Sequence, residues 1–179
     1  DREYLRECCS AVPLFPLPGV VFLPHSLLPL HVFEPRYRAL VEDVVSGDGV
    51  LAVPRLSPGW EHNYEGTPTL NAICGVGQIV RFQTLPDGRS NMLVQGLGRL
   101  RLTKDVVGER GYRVGRGELM ELDPIDENNE RRIFASLKLS AAQLMAANPE
   151  MKMVFNELQK EDVESSVWMD KLAHFVLRK

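Results

Sequence analysis

Residues Val12–Val45, VPLFPLPGVVFLPHSLLPLHVFEPRYRALVEDVV, decide the fold. Prolines recur at Pro13, Pro16, Pro18, Pro24 and Pro29, and no Asp, Glu, Lys or Arg occurs before Glu34. Each proline fixes φ and lacks an N–H donor, so the run is neither a helix nor a central strand. Leu14, Phe15, Leu17, Val20, Val21, Phe22, Leu23, Leu27, Leu28 and Leu30 are too apolar for a solvated linker. The pattern predicts short extended pieces over Val12–Leu17 and Val20–Val32, broken at prolines and contributing to the wall of a small β-barrel. At Glu34-Pro35 it changes to a helix. Proline suits a first turn, Glu34 places negative charge at the positive end of the dipole, and Tyr37, Leu40, Val41 and Val44 form one apolar face. Ser46-Gly47-Asp48-Gly49 ends that helix.

Downstream, Val50–Val53 reads as a brief strand ended by Pro54. Residues 55–71 form the longest irregular stretch and carry Trp60 and Tyr64, a candidate contact surface. Ile73–Phe82 and Asn91–Leu102 read as two strands joined through Leu85-Pro86-Asp87-Gly88-Arg89, whose P-D-G centre is a turn signal. In the second, Met92, Val94, Leu100 and Leu102 share one parity, and Arg99 and Arg101 the other, as expected of a strand with one buried and one wet face. Gly75, Gly77, Gly96 and Gly98 are assigned to barrel curvature rather than to close approach of a ligand. A last strand is expected over Tyr112–Met120.

Two segments of this reading resemble a known family. PLFPLPGVVFLPHSLLPLHVFEPRYRALV (13–41) and CGVGQIVRFQTLPDGRSNMLVQGLGRLRL (74–102) are similar to the two signatures of the N-terminal substrate-binding domain of the ATP-dependent protease Lon, in the form found in stand-alone proteins. The resemblance covers roughly residues 12–120. It implies an α+β fold, a PUA-like six-stranded pseudo-β-barrel with one inserted helix, followed by a C-terminal helical region. It also implies a role in binding protein substrates, without peptidase activity.

The division expected is a substrate-binding β domain over residues 10–122 and a helical region over 123–179, with Leu122-Asp123-Pro124 as the boundary. Phe134, Leu137, Ala141, Leu144 and Met145 trace one helical stripe and Trp168, Leu172, Phe175 and Val176 another, with Asn148-Pro149 between. The last helix reaches Lys179 without a glycine or proline stop and is expected to continue beyond it. The start, DREYLRECC, lacks both an initiator Met and a signal-peptide apolar region, so a trimmed start is expected.

A net charge of −3 over 179 residues and a pI near 5.8 argue against a phosphate-tracking surface. No apolar run is long enough to span a membrane. Cys8, Cys9 and Cys74 form neither a disulfide framework nor a metal site, and a reducing cytoplasm is the expected location. His25, His31, His62 and His174 lack ligand spacing. No G-x-x-x-x-G-K-[ST] loop and no G-x-S-x-G elbow occurs. Glu42-Asp43 and Glu161-Asp162 read as solvated helical charges. No catalytic residue, metal or cofactor is therefore expected.

The function expected is recognition of exposed apolar segments of unfolded or damaged polypeptides, through shallow apolar surface and unpaired strand edges. Phe22, Leu27, Phe33, Trp60 and Tyr64 are the candidate contact residues. Alternatives are an adaptor docking one folded partner or a protease, and RNA binding through Arg81, Arg99, Arg101, Arg113 and Arg116, which the acidic balance disfavours. Weak self-association is a further expectation.

Overall fold

The computed structural model describes residues 2–64, 66–121, 126–146, 149–160 and 163–177. Two compact units divide the chain, Asp1–Glu121 and Leu122–Leu177. The expected boundary at Leu122-Asp123-Pro124 lies outside the described residues, as do Glu161-Asp162 and Asn148.

The first unit is a mixed α+β structure. Its strands are β1 (Val12–Leu14), β2 (Leu27–Val32), β3 (Val50–Val53), β4 (Ile73–Thr84), β5 (Ser90–Val107) and β6 (Arg113–Leu119), and its helices are α1 (Arg2–Cys8) and α2 (Pro35–Ser46). The sheet order is β2-β5-β4-β3-β1-β6, and β5 also pairs with β6. Pairing therefore runs in a closed circuit from β5 through β4, β3, β1 and β6 back to β5, with β2 as an outlying strand on β5. Only β1–β3 is parallel. Residues 2–9 belong to this unit as well, because Leu5 and Cys9 are buried with Val12, Leu14 and Cys74.

Helix α2 forms where the sequence places it. Glu34 is its N-cap residue, Pro35 opens it, and Gly47 closes it by donating to the carbonyls of Asp43 and Val44. Tyr37, Leu40, Val41 and Val44 are buried in one cluster with Phe15, Phe22, Val32, Leu51, Val53, Met92 and Val94. Its wet side is less free than the sequence suggests. Glu42 and Asp43 are not simply solvated: Arg110 bonds both carboxylates, and the Tyr112 hydroxyl donates to Asp43 at 2.7 Å. These contacts tie the helix to the β5–β6 turn.

A second cluster occupies the opposite face of β3, where Val50 and Ala52 meet Val12, Leu14, Cys74, Val76 and Leu100. Strand β5 serves both. Its register with β4 runs from Val76↔Gly98 directly to Gly77↔Gly96, so Leu97 is an extra, bulged residue. Met92 and Val94 lie in the first cluster and Leu100 in the second. The shared parity of Met92, Val94 and Leu100 therefore marks two buried faces, exchanged at the bulge, instead of the single face expected.

The segment before β2 also departs from expectation, because only Leu27–Val32 is strand. Leu23-Pro24-His25-Ser26 makes a turn in which Ser26 donates to the Leu23 carbonyl through its N–H and its hydroxyl, and His25 takes a positive φ of 60°. That pattern, proline followed by a left-handed residue, is a type II turn. The arm ahead of it crosses the β4–β5 ladder closely. A Cβ at Gly75 would stand 2.3 Å from the Phe22 carbonyl oxygen, and one at Gly96 would stand 2.1 Å from that of Leu23. These glycines are needed for close approach, by the chain's own backbone, and curvature alone does not explain them. Gly98 differs, since its neighbours are the flexible or apolar ends of Leu119, Val76 and Leu5.

In the second unit, α3 (Glu127–Ala146), α4 (Pro149–Lys160) and α5 (Ser165–Leu177) enclose Trp168, which meets Phe134 and Phe155 edge-on at 5.2 and 5.9 Å. Asp126 caps α3 by accepting from Asn129 N at 3.0 Å. Ala141, Met145 and Leu172 are buried there, while Leu144 and Val176 of the two expected stripes are exposed.

Two substitutions test this account. Gly88 holds φ +79° in the β4–β5 turn, so Gly88→Val is expected to cost roughly 1–2 kcal/mol from left-handed strain; an unchanged urea midpoint would show the turn to be of another type. Gly96→Ala forces a methyl into the Leu23 carbonyl, and a loss of about 1–3 kcal/mol is expected from overpacking. Wild-type stability in that variant would mean the arm does not lie across β5.

Candidate functional site

The five candidate residues fall into three environments. Phe22 is 3% exposed, within the α2 cluster; its ring also lies where a Cβ of Gly77 would stand, 2.8 Å away. It fills the core and is no surface contact. Leu27 and Phe33, by contrast, are 48% and 60% exposed. They flank β2 at its start and just past its end, some six residues apart, or about 20 Å along an extended chain. Phe33 stacks on His31 with ring centroids 6.2 Å apart. His31 in turn bonds Asn91 through Nδ1 at 2.7 Å.

Among the described residues β2 pairs with β5 alone, which leaves its other edge open. Gly96 N donates to the Ser26 carbonyl, and with Leu27↔Gln95 in register this phase turns the main-chain groups of Leu28, Leu30 and Val32 toward β5. Those of Leu27, Pro29 and His31 face outward. Pro29 thus removes one of three outward donors, which guards the edge against strand addition. What β2 offers is mainly side chain: Leu27, Pro29 and His31 are exposed.

Trp60 and Tyr64 form the third environment. Residues 55–71 close on themselves through Ser57 N to Thr69 O and Asn71 N to Arg55 O, both 2.9 Å. A 3-10 turn over Trp60–Asn63 sets the Trp60 ring edge-on to Tyr64 at 5.4 Å. Tyr64 is anchored to the start of α2. Its hydroxyl donates to Glu34 at 2.5 Å, and the Arg36 guanidinium lies 5.0 Å from its ring centroid and 4.8 Å from that of Tyr37. Arg36 also bonds Glu34 at 3.0 Å. Partial burial, then the Glu34 hydrogen bond, raises the Tyr64 hydroxyl above its ordinary pKa, so it remains a neutral donor at physiological pH. Tyr64 is therefore a strut that holds the loop, and Trp60 is the half-exposed ring it presents. Glu34, adjacent to Phe33 in sequence, links the two regions. Among the described residues no ring contact joins Phe33 to Trp60.

Among the described residues no three His, Cys, Asp or Glu side chains lie close enough to hold a metal. Burial pushes the Cys9 thiol up to about 11 and the Cys74 thiol up to about 12, so neither supplies a thiolate. Of the five arginines considered for nucleic acid, Arg113 is committed elsewhere. Its guanidinium bonds Asp105 at 2.5 Å and the Pro68 carbonyl at 2.6 Å. No helix is long and apolar enough to cross a membrane among the described residues.

Comparison with known proteins bears on this arrangement. The family model described as "ATP-dependent protease La (LON) substrate-binding domain" matches residues 11–177. The chain is 25% identical over 170 residues to a Lon protease of Cytophaga hutchinsonii, covering 90% of this chain and 20% of that protein. With Lon protease 2 of Myxococcus xanthus it is 30% identical over 150 residues, which is 83% of this chain and 18% of that one. It thus spans about a fifth of the length of these relatives. Among solved structures it is similar to the N-terminal domain of a Mycobacterium avium complex Lon protease, with TM-score 0.70 at 12% identity, covering 94% of this chain and 82% of that one. A Lon N-terminal domain protein from Xanthomonas campestris gives TM-score 0.55 at 22% identity, with 94% and 90% covered. Fold, signature segments and a match over nearly the whole chain agree: the chain belongs to the LON substrate-binding domain family.

Proposed function

We propose that this chain is a non-catalytic protein-binding module that recognises exposed apolar segments of unfolded or damaged polypeptides. The observation that carries the reading is the exposure of Leu27 and Phe33 at the two ends of β2, Phe33 being the most exposed large apolar side chain among the described residues of the first unit. Large exposed aromatic and aliphatic groups on a rigid strand are what a side-chain pocket of a client, or a client's own apolar residue, engages. Trp60, held by the Tyr64–Glu34 strut, adds a second contact. The closed circuit of β5, β4, β3, β1 and β6, with α2 inserted, is read here as the PUA-like pseudo-barrel of the family, and the helical unit as its C-terminal region. The free thiols Cys8, Cys9 and Cys74 support a reducing, cytoplasmic setting.

A pull-down from lysate with and without heat stress tests the reading. A broad set of clients that grows with stress is expected; a single stoichiometric folded partner would replace this reading with the adaptor one. The purified chain is expected neither to hydrolyse ATP nor to cleave unfolded casein, and activity that co-purifies with it through repeated chromatography would sink the non-catalytic assignment.

Phe33→Ala and Trp60→Ala separate contact from packing. Each is expected to weaken casein binding, measured by fluorescence anisotropy, by roughly 1–3 kcal/mol. Phe33→Ala should move folding stability by no more than about 0.5 kcal/mol. A loss of about 3–5 kcal/mol of stability in Trp60→Ala would instead mark that ring as core. Folded variants with unaltered casein affinity would remove these residues from the contact surface.

A further inference from the structure

Strand β5 outlasts its partner β4. Its last pairing on that side is Ile73↔Arg101, followed by one bond from Leu102 N to the Ala72 carbonyl at 2.7 Å. Residues 69–71 then leave β5 to pair with 55–57, while β5 continues to Val107, paired among the described residues with β6 alone. Gly108 N donates to the Tyr112 carbonyl, and the register Val106↔Val114 and Lys104↔Arg116 carries that phase back along the strand. The main-chain groups of Lys104 and Val106 therefore bond β6, and those of Asp105 and Val107 point to the opposite edge. A concavity of about 490 Å³ lies there, lined in part by Thr67, Thr69, Leu70, Thr103 and Arg113. Among the described residues no backbone hydrogen bond crosses it. Its one strap is a side chain, the Arg113 guanidinium between Asp105 and the Pro68 carbonyl.

Exposed strand edges are normally shortened, charged or interrupted by proline. The edge of β2 has Pro29, whereas residues 103–107 have no proline, and Val106 and Val107 are 52% and 51% exposed. We propose that this edge of β5 accepts an extended segment of client main chain as an added strand, laid in the concavity between β5 and residues 67–71. This rests on the reading of the chain as a binder of unfolded polypeptide, and adds where the client backbone goes. Five residues of edge run roughly 16 Å, enough for four or five residues of client. Main-chain donors and acceptors at alternate positions recognise an extended backbone whatever its side chains, as a binder of varied unfolded sequences requires. Charge narrows the choice. Asp105 and Arg113 neutralise one another, and Lys104, exposed at the same edge, favours a segment carrying Asp or Glu beside its apolar residues.

Amide exchange of the isotopically labelled chain, read by NMR with unfolded casein as the probe, tests the proposal. Slower exchange at Asp105 and Val107 on casein addition is expected. Val107→Pro removes an outward donor without removing a bond to β6, and is expected to weaken casein binding about fivefold, the worth of one hydrogen bond. Thr69→Trp, which fills the concavity from its far wall, is expected to do at least as much and leaves the β5–β6 ladder untouched. Casein binding that leaves exchange at Asp105 and Val107 unchanged, with wild-type affinity in Thr69→Trp, overturns this proposal alone. Failure of the wild-type chain to bind casein overturns the underlying reading as well.

Discussion

The first unit closes because three residues of the β4–β5 ladder have no side chain. Gly75, Gly77 and Gly96 open a floor on which the arm ahead of β2 lies in backbone contact, with the Phe22 and Leu23 carbonyl oxygens in the space that methyl groups would take. That approach drops the Phe22 ring into the same cluster as Tyr37, Leu40 and Val41 of α2, where burial of such a ring contributes about 1.5–3 kcal/mol. With the arm seated, His25 N bonds Gly96 O and β2 enters in register on β5. With α2 seated, Glu34 stands where Tyr64 reaches it, and the Trp60 loop acquires its orientation. The surfaces assigned to recognition are thus downstream of a backbone contact made on buried glycines.

Rigidity and exposure are obtained together by this route. Leu27 and Phe33 lie at the ends of a strand fixed by a six-residue ladder, and Phe33 is turned outward because the next residues must start a helix whose own apolar face points inward. Trp60 sits on an irregular loop, yet the loop is fastened at its base by main-chain bonds and at its tip by Tyr64. Side chains held in this manner lose little conformational freedom on binding, which favours affinity without added contact area.

Much of this was legible in the residues themselves. The Glu34-Pro35 start, the four buried positions of α2 and the Pro86-Asp87-Gly88 turn follow from local rules, and the structure has each where those rules put it. The arm was less legible, since proline density excludes regular structure without saying what the chain packs on. Phe22 and Phe33 look alike in sequence; only the glycines on two distant strands distinguish a buried ring from an exposed one. The pairing of Glu42 and Asp43 with Arg110 and Tyr112 spans some seventy residues and leaves no periodic signal. Alternation also misled in β5, because a bulge preserves parity while exchanging faces. The open edge of residues 103–107 was invisible for a related reason: it depends on where a different strand stops.

The bulge at Leu97 has an evolutionary corollary. Leu97 has no partner on β4, so β5 can lose one residue there and still serve both cores. Without it the pairs Gly96↔Gly77, Gly98↔Val76 and Leu100↔Cys74 follow one another in regular register, and Leu100 stays in the Val12–Leu14 cluster. Length variation among homologous chains should accordingly appear at the bulge itself, as well as in the loop of residues 55–71 and the turn of residues 85–89.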